Sequence, residues 1–201
     1  MTSTRTARDA ALHADVDRPS RREQILQAAA QLFAERGSRA VGVDDVGAAV
    51  GVTGPAIYRH FASKDAMLAE MLLRISERLL VGGTERVSAA GADPAAQLRA
   101  LVEFQVDFAL DNPALITVHD RDLGSLADAD AAQVRRLQRR YVEVWVAVLA
   151  RLHPTADGAT CRARAHAVFG LINSTPHSAG RLDRPVMARL LTEMAVAAAV
   201  G

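Results

Sequence analysis

Apolar residues recur every three or four positions along most of the chain and almost nowhere alternate, which predicts an all-α protein of about nine helices. The first begins at Ser20. There Ser20, Arg21, Arg22 and Glu23 make a capping box, Ile25, Ala28, Ala29, Leu32 and Phe33 share one face, and Gly37 ends the run. Two short helices follow within residues 43–64. Residues 44–50 carry two acids in their opening turn, where they suit the positive end of a helix. Gly51 stands where a turn needs a positive φ, Thr53 is an N-cap, and Pro55 falls in a first turn that does not need its missing N–H. The second helix, residues 55–60, is too short to persist alone. Val46, Ala49, Val52, Ile57 and Phe61 must therefore fix both pieces to the first helix.

Ser63 caps a long helix whose stripe is Leu68, Met71, Leu72, Ile75 and Leu79; Gly82 and Gly83 are expected to end or bend it. Further helices start at Asp93-Pro94 and Asn112-Pro113. A polar loop, HDRDLGSL, comes next, then a long helix over about 128–152 whose exposed side carries Arg135, Arg136, Arg139 and Arg140. Over about 156–174, Cys161, Ala165, Val168 and Ile172 make one face. Ala163, Ala167, Gly170 and Ser174, all small, make the other. The last helix, capped near Asp183, sets Met187, Leu190, Leu191 and Met194 on an apolar stripe. A row of small residues lets another helix approach closely, so these last two helices read as a dimerisation pair. The division expected is a mobile arm over 1–19, a three-helix domain over 20–66 that holds the helix-turn-helix, and a larger helical domain over 67–201 that carries the dimerisation pair.

Composition narrows the classes. Of the 201 residues 50% are hydrophobic but only 4% aromatic, so Ala, Leu and Val must fill the core. A formal net charge of +1 gives no nucleic-acid signal in bulk, and any DNA-binding face must arise by sorting charges. In the arm, Arg5, Arg8 and Arg18 are offset by Asp9, Asp15 and Asp17, which favours a solvated tail over a minor-groove reader. Cys161 is the single cysteine, excluding an internal disulfide and a Cys-based metal site, and fits a reducing cytoplasm. No apolar run approaches the length of a membrane span, and the N-terminus does not read as a signal peptide.

Helix, glycine turn, short helix is the helix-turn-helix pattern, in which the second helix enters the major groove. The run GVTGPAIYRHFASKDAML resembles the DNA-binding signature of the TetR family of bacterial transcription regulators, over about residues 20–70. The resemblance implies phosphate contacts from Tyr58, His60 and Lys64, the only lysine, and a recognition helix holding Thr53, Gly54, Pro55, Ala56 and Arg59. Thr53 offers a donor, and Pro55 and Ala56 offer apolar contact to a thymine methyl. Gly54 lacks a side chain, which makes direct reading thin and leaves sequence choice to Arg59, Arg39, backbone N–H groups and DNA shape. Gly42 takes the place of a Ser or Thr cap. A homodimeric repressor, released from a pseudo-palindromic operator by a small molecule, is the function the resemblance implies.

For that small molecule, Phe104, Phe108, Tyr141 and Trp145 are candidate pocket walls, and His119, His166 and Asn173 candidate orienting groups. Plain core packing is the competing reading for the aromatics, and a surface or satisfied role for the histidines. VRRLQRRYVEVW and FGLINSTPHSAG resemble actinobacterial regulators of fatty-acid or branched-chain acyl metabolism. That resemblance implies an apolar or acyl-CoA ligand, with the arginines at 135–140 meeting phosphates or simply forming a solvated face. Two other classes stay open: an apolar or acyl-CoA binding protein with no DNA role, and an enzyme built on His119, Asp120, Arg121 and Asp122. The second lacks a partner ligand at metal spacing, a phosphate loop and a nucleophile elbow, so no catalytic, cofactor or metal residue is assigned.

Overall fold

The computed structural model describes residues 20–201, and among these there is no strand. The expected arm over 1–19, with its three arginines, lies outside the described residues. The chain forms α1 (Arg21–Arg36), α2 (Val43–Ala49), α3 (Gly54–Ile57), α4 (Lys64–Ala89) and α5 (Pro94–Asp111). It continues with α6 (Pro113–Asp122), α7 (Asp128–Leu152), α8 (Gly158–Ile172), α9 (Thr175–Ser178) and α10 (Arg184–Val200). Short 3₁₀ turns follow α6 and α9.

The helix starts follow the local chemistry. The Ser20 hydroxyl accepts from the Glu23 N–H at 3.3 Å while the Glu23 carboxylate takes the Ser20 N–H at 2.7 Å, closing the capping box. Gly42 has no side chain to cap with, so the Asp45 carboxylate reaches back to its N–H at 2.7 Å. Ser63, Asp93 and Asp157 cap α4, α5 and α8 in the usual sense.

Two layers result. In the head, α1, α2 and α3 close over Ile25, Phe33, Val46, Ile57 and Met67, all wholly buried. In the body, α4 packs along α5 and α7, while α8 and α10 pack on each other and against α5 and α7. The N-terminal part of α4 belongs to the head core and its remainder to the body core, so one helix runs through both.

Three expectations are corrected. Gly82 and Gly83 do not end α4, which continues to Ala89. They are places of close approach: a Cβ on Gly82 would stand 2.4 Å from the Phe104 ring, and one on Gly83 would stand 2.5 Å from Tyr141. The HDRD half of the polar loop is the last turn of α6. The recognition helix is α-helical only to Ile57, then tightens into three-residue turns that carry it to His60 through Arg59 N–H to Ala56 and His60 N–H to Ile57.

Candidate nucleic-acid interface

The turn between α2 and α3 is set by backbone. Gly51 has φ 71°, and the Val52 N–H donates to the Gly47 carbonyl at 2.9 Å. Gly47 went unnoticed in the sequence, yet it decides how closely the two helices cross. A Cβ there would sit 2.8 Å from the Val52 carbonyl oxygen, and backbone has no room to yield. Ile57 and Phe61 point inward and pin α3 to the head, which leaves its other side to solvent.

That outer side holds most of the expected DNA contacts. Thr53, Pro55, Arg59 and Arg39 are exposed, Ala56, His60 and Lys64 are half-buried, and Tyr58 is 57% exposed. Thr53 sits at the N-cap of α3 but makes no capping bond, so its hydroxyl is available to a partner. Lys64 opens α4 directly behind the Ser63 cap. Gly54 is the exception, since it is buried and turned toward Asp44, away from the outer face.

Arg22 braces this surface, and nothing in the periodicity pointed to it beyond its place in the capping box. Its guanidinium holds the Glu70 carboxylate bidentately, donates to the His60 carbonyl, and lies 4.2 Å over the Phe61 ring. One side chain thus joins α1, the end of the recognition segment and α4. The bonds from Arg22 hold the Glu70 carboxyl below its ordinary range, although partial burial works the other way; the charges of Arg22 and Arg74 add to the lowering.

The polar cluster at the end of α6 is a clasp between body and head. Asp122, buried, accepts from the Ser38 hydroxyl at 2.8 Å and from Arg121 at 3.0 Å. Arg121 also donates to the carbonyls of Phe33 and Ala34, capping the negative end of α1. His119 is satisfied separately: the Gln138 amide meets its Nε2, which leaves Nδ1–H for Asp120 at 3.1 Å. These groups are each engaged in hydrogen bonds within the protein.

The candidate ligand residues are not gathered around one opening. Tyr141 stacks on Phe169 at 5.7 Å, and Trp145 meets the same ring edge-on at 4.9 Å, so both are core. Phe104 covers Gly82, His166 is exposed, and Asn173 ends α8. Within this core a polar chain runs from the Tyr141 hydroxyl to Gln105 at 2.9 Å and from Gln105 to Asn173 at 3.3 Å. Burial drives the Tyr141 phenol well above its ordinary pKa, an effect opposed in part by the nearby Trp145 indole. The Trp145 N–H is itself wholly buried and reaches no acceptor in bonding geometry. Of the predicted ligand residues only Phe108 lines the cleft between head and body.

The expected dimer face is also revised. Ala163, Ala167 and Gly170 are exposed and Ser174 half-buried, while Leu190 (41%) and Met194 (48%) stand out into solvent beside Val186 (44%). Met187 and Leu191, each 4% exposed, are turned into the core of their own chain. The apolar stripe of α10 is wide enough to serve two sides, and the sequence alone did not divide it.

Residues 25–71 match the family model described as "Bacterial regulatory proteins, tetR family", and residues 91–199 match "Tetracyclin repressor-like, C-terminal domain". The chain belongs to the TetR family. That family consists of transcription regulators and not enzymes, which removes the reading built on His119 and Asp122. Among curated relatives, the transcriptional repressor KstR2 of Rhodococcus jostii is 32% identical over 130 residues, 64% of this chain and 63% of that one. The transcriptional activator FasR of Mycolicibacterium smegmatis is 37% identical over 91 residues, 45% of this chain and 41% of that one. The chain thus spans less than two thirds of the length of either. Among solved structures, the ketosteroid transcriptional regulator KstR2 of Mycobacterium tuberculosis superposes with a TM-score of 0.72 at 25% identity, covering 92% of this chain and 95% of that one. AibR, solved with isovaleryl coenzyme A and operator DNA, gives 0.71 at 19% identity, over 87% of this chain and 97% of that one; at that identity the likeness is one of fold. Among the described residues, no helix of this TetR-family chain is long and apolar enough to cross a membrane.

Proposed function

We propose that this chain is a DNA-binding transcriptional regulator acting in the cytoplasm as a homodimer, which represses from a pseudo-palindromic operator until a small apolar or acyl ligand releases it. The observation that carries the DNA part is the outer face of α3 and the start of α4. There Thr53, Tyr58 and Arg59 are exposed around a short helix anchored by Ile57, Phe61 and Arg22, with His60 and Lys64 half-buried beside them. A helix this short has no stability of its own, and the bracing holds it as a reader. Dimerisation through the exposed side of α8 and α10 is favoured by the run Val186, Leu190, Met194 lying beside a row of small residues. Two heads would then meet successive major grooves about 34–36 Å apart.

Repression follows the KstR2 relatives, while FasR, named as an activator, marks the opposite sign as the alternative. The body favours such an effector, since its apolar core contains a buried indole N–H without an acceptor and a Tyr–Gln–Asn chain of hydrogen bonds. The acyl-CoA held by the structurally similar AibR agrees with that class.

The test is retention of genomic fragments by the purified protein, followed by fluorescence anisotropy on the recovered sequence. Lys64→Ala is expected to weaken binding to every sequence about equally and to reduce the slope of log K against log salt by about 1, the signature of one lost phosphate contact. Loss confined to the cognate site would contradict the phosphate role. Absence of any enriched fragment from folded, ligand-stripped dimer would overturn the DNA reading in favour of a ligand-binding protein.

A further inference from the structure

A cleft of about 670 Å³ opens between the head and the body. Its size is that of a site for a small organic ligand. The head contributes the polar face of α1 through Gln27 and Gln31; the body contributes α4 and the α5–α6 corner. The floor is apolar, with Leu26, Met71, Ile75 and Phe108.

The charged groups around this cleft are unequally placed. Glu23 is engaged with Ser20 at 2.7 Å, Arg74 with Glu70 at 2.7 Å and Asp111 with Arg184 at 2.7 Å. Arg78 meets no carboxylate among the described residues; its guanidinium lies 5.5 Å from the centre of the Phe108 ring. An apolar floor is thus edged by one exposed cation that meets an aromatic face and no carboxylate among the described residues. We propose that this cleft is a ligand site, separate from the body core, for an apolar molecule bearing one carboxylate, its chain on Met71, Ile75 and Phe108 and its carboxylate on Arg78.

Such a ligand touches α1 on one side and α4 to α6 on the other. It fixes the angle between them, and by preferring one head-to-body angle it biases the pair of heads. That consequence rests on the DNA-binding reading; the site itself does not, because occupancy is measured without DNA.

The experiment is isothermal titration of the full-length protein with dodecanoate, using dodecanol as the uncharged probe. Dodecanoate is expected to bind once per chain. Arg78→Gln should weaken it about tenfold or more and leave dodecanol unchanged. Gln27→Trp, at an exposed position on the cleft wall, should reduce both by filling the space. Unchanged affinity for dodecanoate in both variants would place the site elsewhere and overturn the proposal, as would no binding to the folded wild type. Operator release by dodecanoate, measured separately by anisotropy, distinguishes failure of the site from failure of the DNA reading.

Discussion

Arg22 shows how much a single side chain can carry. It sits in the first turn of α1, a position that periodicity treats as solvent, and yet it touches the two elements that must be held in register for DNA reading. Replacing it by Ala removes a bidentate carboxylate pair, a bond to the His60 carbonyl and a ring contact, all partly solvated. A destabilisation of about 1–2 kcal/mol is expected, seen as a lower Tm and weaker operator binding even though Arg22 itself need not touch DNA. The Glu70 end carries a pH signature. Because its folded-state pKa is lowered, its contribution is complete above the ordinary carboxylate range and disappears as pH falls through the lowered value. The difference in unfolding free energy between wild type and Glu70→Gln should therefore be constant near neutrality and shrink on acidification. A difference that grew toward low pH would mean that the pair does not hold the head.

At the scale of elements, glycine marks where helices touch. Gly47→Ala should cost about 1–3 kcal/mol, because its new methyl meets the Val52 carbonyl, which is backbone in a tight turn. Gly54→Ala should cost much less, since the obstruction is the Asp44 side chain, which is exposed and can swing away. Thermal melts of the two variants provide the comparison; equal losses would refute the close-crossing argument. This contrast also shows why some of the fold was legible and some was not. Caps such as Ser20 and Ser63, and the apolar periods of α1, α4 and α7, are local, and they placed the helices and the α2–α3 turn. Gly82, Gly83, Arg22 and Asp122 act on residues distant in sequence. Nothing local separates a helix-ending glycine from one that admits a ring, or a loop Asp–Arg pair from a clasp onto another helix. Aromatic spacing likewise did not reveal that Tyr141 and Trp145 pack on Phe169, since stacked core and cavity wall share one period. The outer face of α3 was readable because its motif is short and contiguous.

For the whole molecule, the α8–α10 surface is the feature to be tested. Leu190→Arg combined with Met194→Arg should give a folded monomer by light scattering, with operator affinity reduced to that of a single head. Met187→Arg, placing a charge in a buried site, should instead lower Tm before it changes mass. A dimer that survives the paired substitution would move the interface to another face. The head is tied to the body at two places, the clasp of Arg121, Ser38 and Asp122 and the passage of α4 through both cores, so the two parts are not joined by a loose linker. The unbroken course of α4 has a mechanical consequence. Its 26 residues make a rod of about 39 Å at 1.5 Å per residue, with Lys64 at one end and the glycines that seat it near the other. A tilt of about 7° about the seated glycines displaces Lys64, about 27 Å away, by about 3.4 Å, one base-pair step along the duplex. A lever of this length turns a sub-ångström adjustment among packed side chains into an error of phase between two readers and their half-sites, and a single bending glycine in its middle would have absorbed that motion.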